Sequence, residues 1–382
     1  MNRPTHTTVV RNSNIELLRI LCMLMVVILH FNNHGANTGI VNMPSQLTPA
    51  LTWGFLVESF CIIAVNCFLL ISGFFSISLK WRSVLKFYLQ CFFIGMFAYL
   101  LYVWLSPATI STHALFERLL AFTHNGWWFV VSYVGLMLIS PILNRAVDGL
   151  SKKQMLSAVG LYAIVIIYLG WFQQVDPTHN GCSLVNFIFI YLIGRYIGKH
   201  VDISDIQRYR WFWFFGYILT ALAIFALVML RYNFGWEIRY VFDYNHPMVI
   251  IAAVLLFLFI LSFTFKSRAI NWIASSVFSA YLLQESLLFG HEYLYPKMET
   301  FFTHVPQGWN IGVLFVVSIV FLWVSVLIDK VFSFMSTKLL AIIKTTNNER
   351  ETHEKVFYLA YCCAMRIHDI CHYTRGTSNF TE

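Results

Sequence analysis

Charged side chains are scarce in this sequence: only 12% of its 382 residues are Asp, Glu, Lys or Arg. A soluble domain carries roughly 25%, and 58% of this chain is hydrophobic. The composition therefore excludes an ordinary soluble globular protein and predicts an integral membrane protein. The net charge of +8 does not indicate a nucleic-acid partner, because the distribution of the cations matters more than their sum.

The usual signatures of soluble catalysis are also absent. The sequence contains no Gly-rich phosphate loop and no Gly-x-Ser-x-Gly nucleophile elbow. No connection between apolar runs exceeds about twenty residues, which leaves no room for a soluble catalytic domain. Any chemistry is therefore expected inside the membrane bundle.

Cysteine and histidine give little support for disulfides or metal. None of the eight cysteines is placed in a loop where an oxidising compartment would pair it with another. Eight of the thirteen histidines fall on one predicted side of the membrane without a metal-binding spacing. Cys362, Cys363, His368, Cys371 and His372 near the C-terminus match no standard zinc finger. We expect no metal.

Apolar runs of about 17 to 25 residues predict the fold. Ten such runs occur, so the predicted fold class is all-α, a polytopic membrane bundle of about ten transmembrane helices. The second run contains Asn66, Ser72 and Gly73 and is long enough to hold a break. The predicted spans are 15–32, 52–79, 86–105, 127–145, 155–172, 184–199, 211–230, 248–265, 272–290 and 309–329.

Positive charge predicts the orientation of these spans. With the N-terminus inside, inner segments hold fifteen Lys and Arg and outer loops hold four, before the seven that follow the last predicted span are counted. This asymmetry predicts that both termini are cytoplasmic and that His30 lies on the outer side. The inner cations are Arg3, Arg11, Arg19, Lys80, Arg82, Lys86, Arg145, Lys152, Lys153, Arg195, Lys199, Arg208, Arg210, Lys266 and Arg268, and the outer ones are Arg118, Arg231, Arg239 and Lys297.

Two domains are predicted. Residues 1–344 form the transmembrane domain, and residues 345–382 form a cytoplasmic tail that could lie on the inner leaflet as a short amphipathic helix. The first apolar run is expected to be retained, because it contains Glu16 and Arg19 and no small-x-small cleavage site follows it.

The first span carries ionisable side chains near both ends. Glu16 and Arg19 are an i, i+3 pair that can neutralise each other. The eleven-residue step from Arg19 to His30 brings both to one helix face, about 16 Å apart along the axis. Such groups usually face a bundle interior or a wet cavity. The alternative is that Glu16 and Arg19 are a charged flank at the headgroups and His30 a polar cap.

These motifs carry a resemblance to the membrane acyltransferase 3 family. Arg19 and His30 resemble the Arg-x10-His signature of the family. The segment Val65-Asn-Cys-Phe-Leu-Leu-Ile-Ser72-Gly73-Phe74-Phe75 is similar to its Phe-Phe-x-x-Ser-Gly-Phe motif. The cluster Lys80, Arg82 and Lys86 follows that segment, as in the family.

Weaker similarities extend the resemblance from about residue 12 to 330. They lie at Trp127–Tyr133 with Ser140–Asn144, at Tyr191–Arg195 and at Ser275–Gln284. The sequence also departs from the family pattern. Gln284 stands where the family commonly has His, and Asn66 stands where it has Asp.

The resemblance implies an O-acyltransferase in the bacterial cytoplasmic membrane. The expected reaction moves an acyl group, most simply acetyl, from cytoplasmic acetyl-CoA to a hydroxyl of a cell-surface polysaccharide or lipid-linked sugar. His30 would be the general base, with Arg19 and Glu16 at the CoA end, and an acyl-His30 intermediate is an open alternative. Lys80, Arg82 and Lys86 would hold the CoA phosphates, the alternative being that they only anchor the topology.

Five further residues are candidates for contact with the substrate. Ser72 and Asn66 could donate to the acyl carbonyl, or could pack helices together. Glu58 could orient His30, and Tyr281 and Gln284 lie in the ninth span. A proton-coupled transporter or exporter of a small or glycan-like substrate is the competing class, because ten spans with an intramembrane Arg, Glu and His would suit it too.

Overall fold

All regular structure in the described residues is helical, as the apolar runs predict. The computed structural model describes residues 12–39, 47–122, 126–175, 178–234 and 238–346. The chain divides into two units, Met1–Lys330 and Val331–Glu382, and the account below concerns the first. The proposed tail from residue 347 onward lies outside the described residues, so the predicted domain boundary at 344 stays a prediction.

Fifteen α-helices are labelled here in chain order within those ranges. They are α1 Ser13–His30, α2 Pro49–Cys61, α3 Ala64–Phe75, α4 Trp81–Leu105, α5 Thr112–Leu119, α6 Trp128–Asp148, α7 Lys152–Ile164, α8 Leu184–His200, α9 Ile203–Arg208, α10 Arg210–Phe234, α11 Pro247–Leu261, α12 Arg268–Ala274, α13 Phe278–Gln284, α14 Tyr295–Thr303 and α15 Asn310–Thr346. Three π-helical segments, Phe31–Gly35, Val165–Phe172 and Leu287–Leu294, continue or connect them.

Eight helical segments within the described residues are long and apolar enough to cross a membrane. Eight of the ten predicted spans coincide with these segments. Of the other two, the sixth is the 17-residue helix α8, and the ninth is interrupted. The protein is therefore a multi-pass membrane protein, and ten crossings with both ends cytoplasmic remain a prediction.

The second span is broken, although not at the residues that suggested a break. Helix α2 ends at Cys61 and α3 begins at Ala64, so the interruption falls at Ile62 and Ile63. Asn66, Ser72 and Gly73 all lie inside α3. The break lets α3 leave the line of α2 while both stay buried.

Helices α3 and α8 approach each other through glycine. A Cβ atom on Gly73 would lie 2.1 Å from the carbonyl oxygen of Tyr191, and one on Gly194 would lie 2.4 Å from that of Leu70. Gly198 is equally close to the backbone of α3. Small residues spaced by four allow this kind of backbone contact between membrane helices. The contact fixes the inner half of α3, which carries Ser72.

The ninth span consists of two short helices with a break at residues 275–277. Lys330 on α15 crosses this break: its Nζ donates to the carbonyl of Trp272 at 2.5 Å and to Ser275 Oγ at 2.7 Å. Asp329 beside it accepts from Nε2 of Gln90 on α4 at 2.9 Å. Helix α13 ends at Gln284, which contacts His30 at the C-terminal end of α1.

Helix α1 lies in the core of this unit and contacts α2, α3, α11, α12 and α13. Leu18, Cys22 and Val27 on it are completely buried. The five cysteines within the described residues are free thiols.

Candidate active site

His30 lies at the end of α1, where two residues of the ninth span meet its ring. Nδ1 of His30 is 2.8 Å from Nε2 of Gln284 and 3.3 Å from Oε1 of Glu285. Nε2 of His30 has no hydrogen bond to the described residues. The side chain keeps about a fifth of its surface exposed, at 21%. One ring nitrogen is thus held by protein groups and the other is available.

The neighbours of Nδ1 decide which nitrogen carries the proton. A carboxylate accepts hydrogen bonds only, so Glu285 requires a proton on Nδ1. Oε1 of Gln284 is buried without a partner in the present amide orientation. Exchanging the two ends of that amide, which hydrogen bonding alone distinguishes, would give Oε1 the Nδ1 proton as well. Glu285, together with Gln284 in the exchanged orientation, favours the tautomer in which Nδ1 carries the proton and Nε2 does not.

Besides His30, two side chains contact the carboxylate of Glu285. Tyr295 donates to its Oε1 at 2.5 Å, and Nε2 of His291 lies 3.6 Å from Oε2. The carboxylate raises the pKa of His291 through this long hydrogen bond and its charge. His34 stacks on Tyr295 with ring centroids 4.8 Å apart. Glu285 is only 9% exposed, so its charge acts on His30 in surroundings that water screens weakly.

Sequence reasoning missed Glu285. It stopped at Gln284, the position where the resemblance expects His, and the next residue is the acid that contacts His30. A carboxylate two residues after the apolar segment 277–283 was the available signal, because such a group is costly inside a membrane unless it has a partner.

Glu58, the acid expected to orient His30, is 2% exposed. Its Oε1 accepts from Nδ2 of Asn33 at 3.1 Å. Asn33 belongs to the π-helical turn that directly follows His30. The hydrogen bond between Glu58 and Asn33 therefore stabilises the π-helical turn that follows His30.

A cavity begins at His30 and runs between α1, α3, α6 and α13. It is narrow and partly open, with a cavity volume of about 40 Å³. Apart from His30, its walls are aliphatic and aromatic, and the aromatic ones are Phe68, Trp128, Phe129, Tyr244, Phe278 and Tyr281. Such a lining suits an apolar chain and excludes a large charged group.

Two predicted candidates help to build the wall of this cavity. The hydroxyl of Tyr281 accepts from the backbone N–H of Phe129 at 3.3 Å, which leaves its own proton free to donate. Asn66 is fully buried, and its Nδ2 donates to the carbonyl of Tyr244 at 2.8 Å. The amide of Asn66, which was predicted to donate to an acyl carbonyl, therefore donates to the backbone of Tyr244, a residue that lines the cavity.

The tryptophans at the helix ends differ widely in exposure. Trp53 and Trp309 are exposed as a membrane-interface residue would be, at 56% and 70%. Trp127 is 2% exposed, and its indole N–H donates to the carbonyl of Leu282 at 3.2 Å. The ninth predicted span supplies this acceptor, so Trp127 packs inside the bundle.

The inner end of the same α1 face carries Arg19. Its guanidinium bonds Glu16 at 2.5 Å, and the Arg side chain is 32% exposed against 8% for Glu16. Arg19 also acts electrostatically on Tyr133, whose hydroxyl lies 3.2 Å from Ser72 Oγ. Arg19, Tyr133 and Ser72 thus lie near one another. Ser72 is one helical turn along α3 from Phe68, which lines the cavity.

The three predicted cations lie around the start of α4. Lys80, Arg82 and Lys86 are all exposed, and no side chain caps this 25-residue helix. A helix N-terminus carries positive partial charge and free N–H groups. Cations and helix terminus together make this surface suitable for binding phosphate.

The described residues thus form a helical membrane protein with a histidine in the wall of an apolar cavity and three exposed cations at the start of α4. The chain belongs to the acyltransferase 3 family, whose acyltransferase domain matches residues 12–335. This membership implies acyltransferase activity. No curated protein and no solved structure matches the chain.

Proposed function

We propose that the protein transfers an acyl group, most simply acetyl, from cytoplasmic acetyl-CoA to a hydroxyl of a cell-surface polysaccharide or lipid-linked sugar, across the bacterial cytoplasmic membrane. The observation that carries this proposal is the pairing of His30 with Glu285 at the end of the apolar cavity. It leaves an unprotonated ring nitrogen where a thioester and a hydroxyl can meet.

The donor would enter from the inner side. Lys80, Arg82 and Lys86 would hold the CoA phosphates by charge-assisted hydrogen bonds at the uncapped start of α4. The uncharged pantetheine arm would pass Arg19 and Ser72 and place its thioester in the aromatic cavity. Arg19 and His30 are separated by about 16 Å of α1, which is the depth that the arm has to cover.

The chemistry is one displacement at the thioester carbon. Nε2 of His30 takes the proton of the acceptor hydroxyl while the oxygen forms a bond to the carbonyl carbon. The tetrahedral intermediate then expels the CoA sulfur, which receives that proton from the imidazolium. The negative charge of Glu285 stabilises the imidazolium between these two steps, and Gln284 keeps the ring oriented.

A donor is also needed for the carbonyl oxygen, which becomes negatively charged in the intermediate. Tyr281 fits this role best, because it lines the cavity beside His30 and its proton is not used elsewhere. Ser72 lies a turn further inward, where it would meet the arm of the donor.

The decisive experiment is His30→Gln, which keeps size and hydrogen bonding but cannot take a proton. Activity is followed as acetylation of the surface glycan by mass, in a deletion strain that carries the variant. Losing a general base costs about 10²- to 10⁴-fold in rate. The matched control is His304→Gln, because His304 is an exposed outer histidine that bonds only its own turn.

Glycan acetylation at nearly the wild-type rate in His30→Gln, with equal protein in the membrane, would overturn the proposed mechanism. A carrier would behave differently, because its histidine variant would lose the pH dependence of uptake and would be indifferent to acyl-CoA. An acyl-His30 intermediate would appear as an acyl adduct on His30 in wild-type protein quenched with acid after addition of acetyl-CoA.

A further inference from the structure

The connection between α3 and α4, residues 76–80, is held by a closed ring of hydrogen bonds. The N–H of Ile77 donates to the hydroxyl of Tyr191 at 3.2 Å, and Nδ2 of Asn144 donates to the carbonyl of Ile77 at 2.9 Å. The hydroxyl of Tyr191 in turn donates to Oδ1 of Asn144 at 2.6 Å. Two side chains from α6 and α8 therefore bind both polar groups of one backbone residue.

The ring holds the chain at a point where its backbone is unusual. Ser76 has a φ of 61°, a value that a residue with a Cβ rarely adopts. Such conformations persist only when the surroundings impose them. The ring at Ile77 is directly adjacent and supplies that constraint.

Tyr191 is well placed to hold the backbone of Ile77, because its side chain is packed in the core. It is completely buried, and it lies on the segment of α8 whose backbone touches Gly73 of α3. The hydroxyl is used twice, once as donor and once as acceptor. A phenylalanine would fill the same space and lose both bonds.

The connection leads directly to the cationic surface. Lys80 follows Ile77 by three residues, so at most about 10 Å of chain separate them, and Arg82 and Lys86 follow on the first turns of α4. Any freedom at Ile77 would move the start of α4 and its cations together. Neither Tyr191 nor Asn144 lies among the residues that line the cavity at His30.

We infer that Tyr191 and Asn144 are positioning residues for the donor: they fix the α3–α4 connection so that Lys80, Arg82 and Lys86 meet the phosphates of CoA. The inference rests on the proposed function, since it presupposes CoA as the donor. It assigns a role to two residues that touch neither the thioester nor the acceptor.

The test measures CoA binding to the full-length purified protein in lipid nanodiscs, by calorimetry at low and high salt. In Tyr191→Phe the dissociation constant for CoA at low salt should rise about three- to tenfold, the effect of losing one or two net hydrogen bonds. At high salt, where charge contacts are screened, wild type and variant should converge. A general folding defect would weaken binding at both salt concentrations.

Tyr217→Phe is the matched control. Tyr217 is 5% exposed and its hydroxyl donates to the carbonyl of Phe60 at 2.9 Å, so the same change removes an interhelical bond elsewhere in the bundle. It should leave CoA binding unchanged. If Tyr191→Phe does not fold, Asn144→Ala takes its place, because it removes two bonds of the ring and leaves the contact between Tyr191 and Ile77.

Epistasis completes the test. In a variant with Lys80, Arg82 and Lys86 all replaced by Gln, Tyr191→Phe should cause no further loss. Unchanged affinity in Tyr191→Phe at low salt, or an equal loss in the triple-Gln background, would overturn the inference while the proposed function stands. Wild-type protein that does not bind CoA would overturn the proposed donor itself.

Discussion

Glu285 Oε1 lies 3.3 Å from Nδ1 of His30, so a carboxylate late in the chain orients a histidine near its beginning. His30 lines the cavity, and its Nε2 has no hydrogen bond to the described residues. This relationship is the basis of the first prediction.

Glu285→Gln should lower acyl transfer by about 10- to 10³-fold, because the imidazolium formed during the reaction loses its counter-charge. The measurement is glycan acetylation by mass with membrane protein quantified in parallel. Glu299→Gln serves as the control, since Glu299 is an exposed acid that accepts from Asn37. A Glu285→Gln protein as active as the control would remove Glu285 from the mechanism.

Arg19→Lys should lower activity about tenfold or more, since an ammonium group does not reproduce the planar fork of the guanidinium. The positive charge is retained, so Glu16 is not left unpaired in the membrane and the fold should survive. Arg208→Lys is the matched control on the exposed helix α9. The measurement is activity beside the melting temperature in detergent, and a loss of melting temperature parallel to activity would assign Arg19 to stability instead.

Gly194→Ala should destabilise the bundle by about 1–3 kcal/mol, because the added methyl meets the Leu70 carbonyl of α3 at 2.4 Å. Gly160→Ala on α7 is the control, since nothing lies within 4 Å of its new Cβ. That change should be neutral or slightly stabilising, as alanine favours helix. Equal melting temperatures for the two variants would show that the α3–α8 contact is not tight.

The proposed orientation is tested by single cysteines at Ser111 and Gln207, both exposed, in a background without the native ones. An impermeant maleimide added to intact cells should label position 111, outside, and leave position 207, inside, unlabelled until the cells are opened. The opposite pattern would place His30 on the cytoplasmic side.

The sequence predicted the parts of the fold that continuous helices determine. A single helix does carry Glu16, Arg19 and His30, and a length of apolar sequence is enough to predict a span. Two further candidates predicted from the sequence lie at the site. Tyr281 lines the cavity, and Gln284 contacts His30. The roles of these residues stay predictions.

The remaining features of the fold and of the site depend on breaks in the helices, which the periodicity of the sequence does not reveal. The ninth run was treated as one helix, whereas α12 and α13 are separated at residues 275–277 and a π-helical segment follows at Leu287–Leu294. Each interruption changes which side chains share a face, so the approach of Glu285 to His30 could not be obtained by counting turns. Lys330 and Asp329 beside the break come from another helix, and no local pattern links them to it.

The separation of 254 residues between His30 and Gln284 also sets the order in which the enzyme becomes competent during its synthesis. A ribosome working at about 5–20 residues per second needs about 13 to 50 s to cover that distance. Throughout that interval the nascent chain already holds the histidine but has made neither Gln284 nor Glu285. The contacts of His30 with Gln284 and Glu285 therefore form only after α13 and the residue that follows it have been synthesised, and a chain that terminates before them has neither contact.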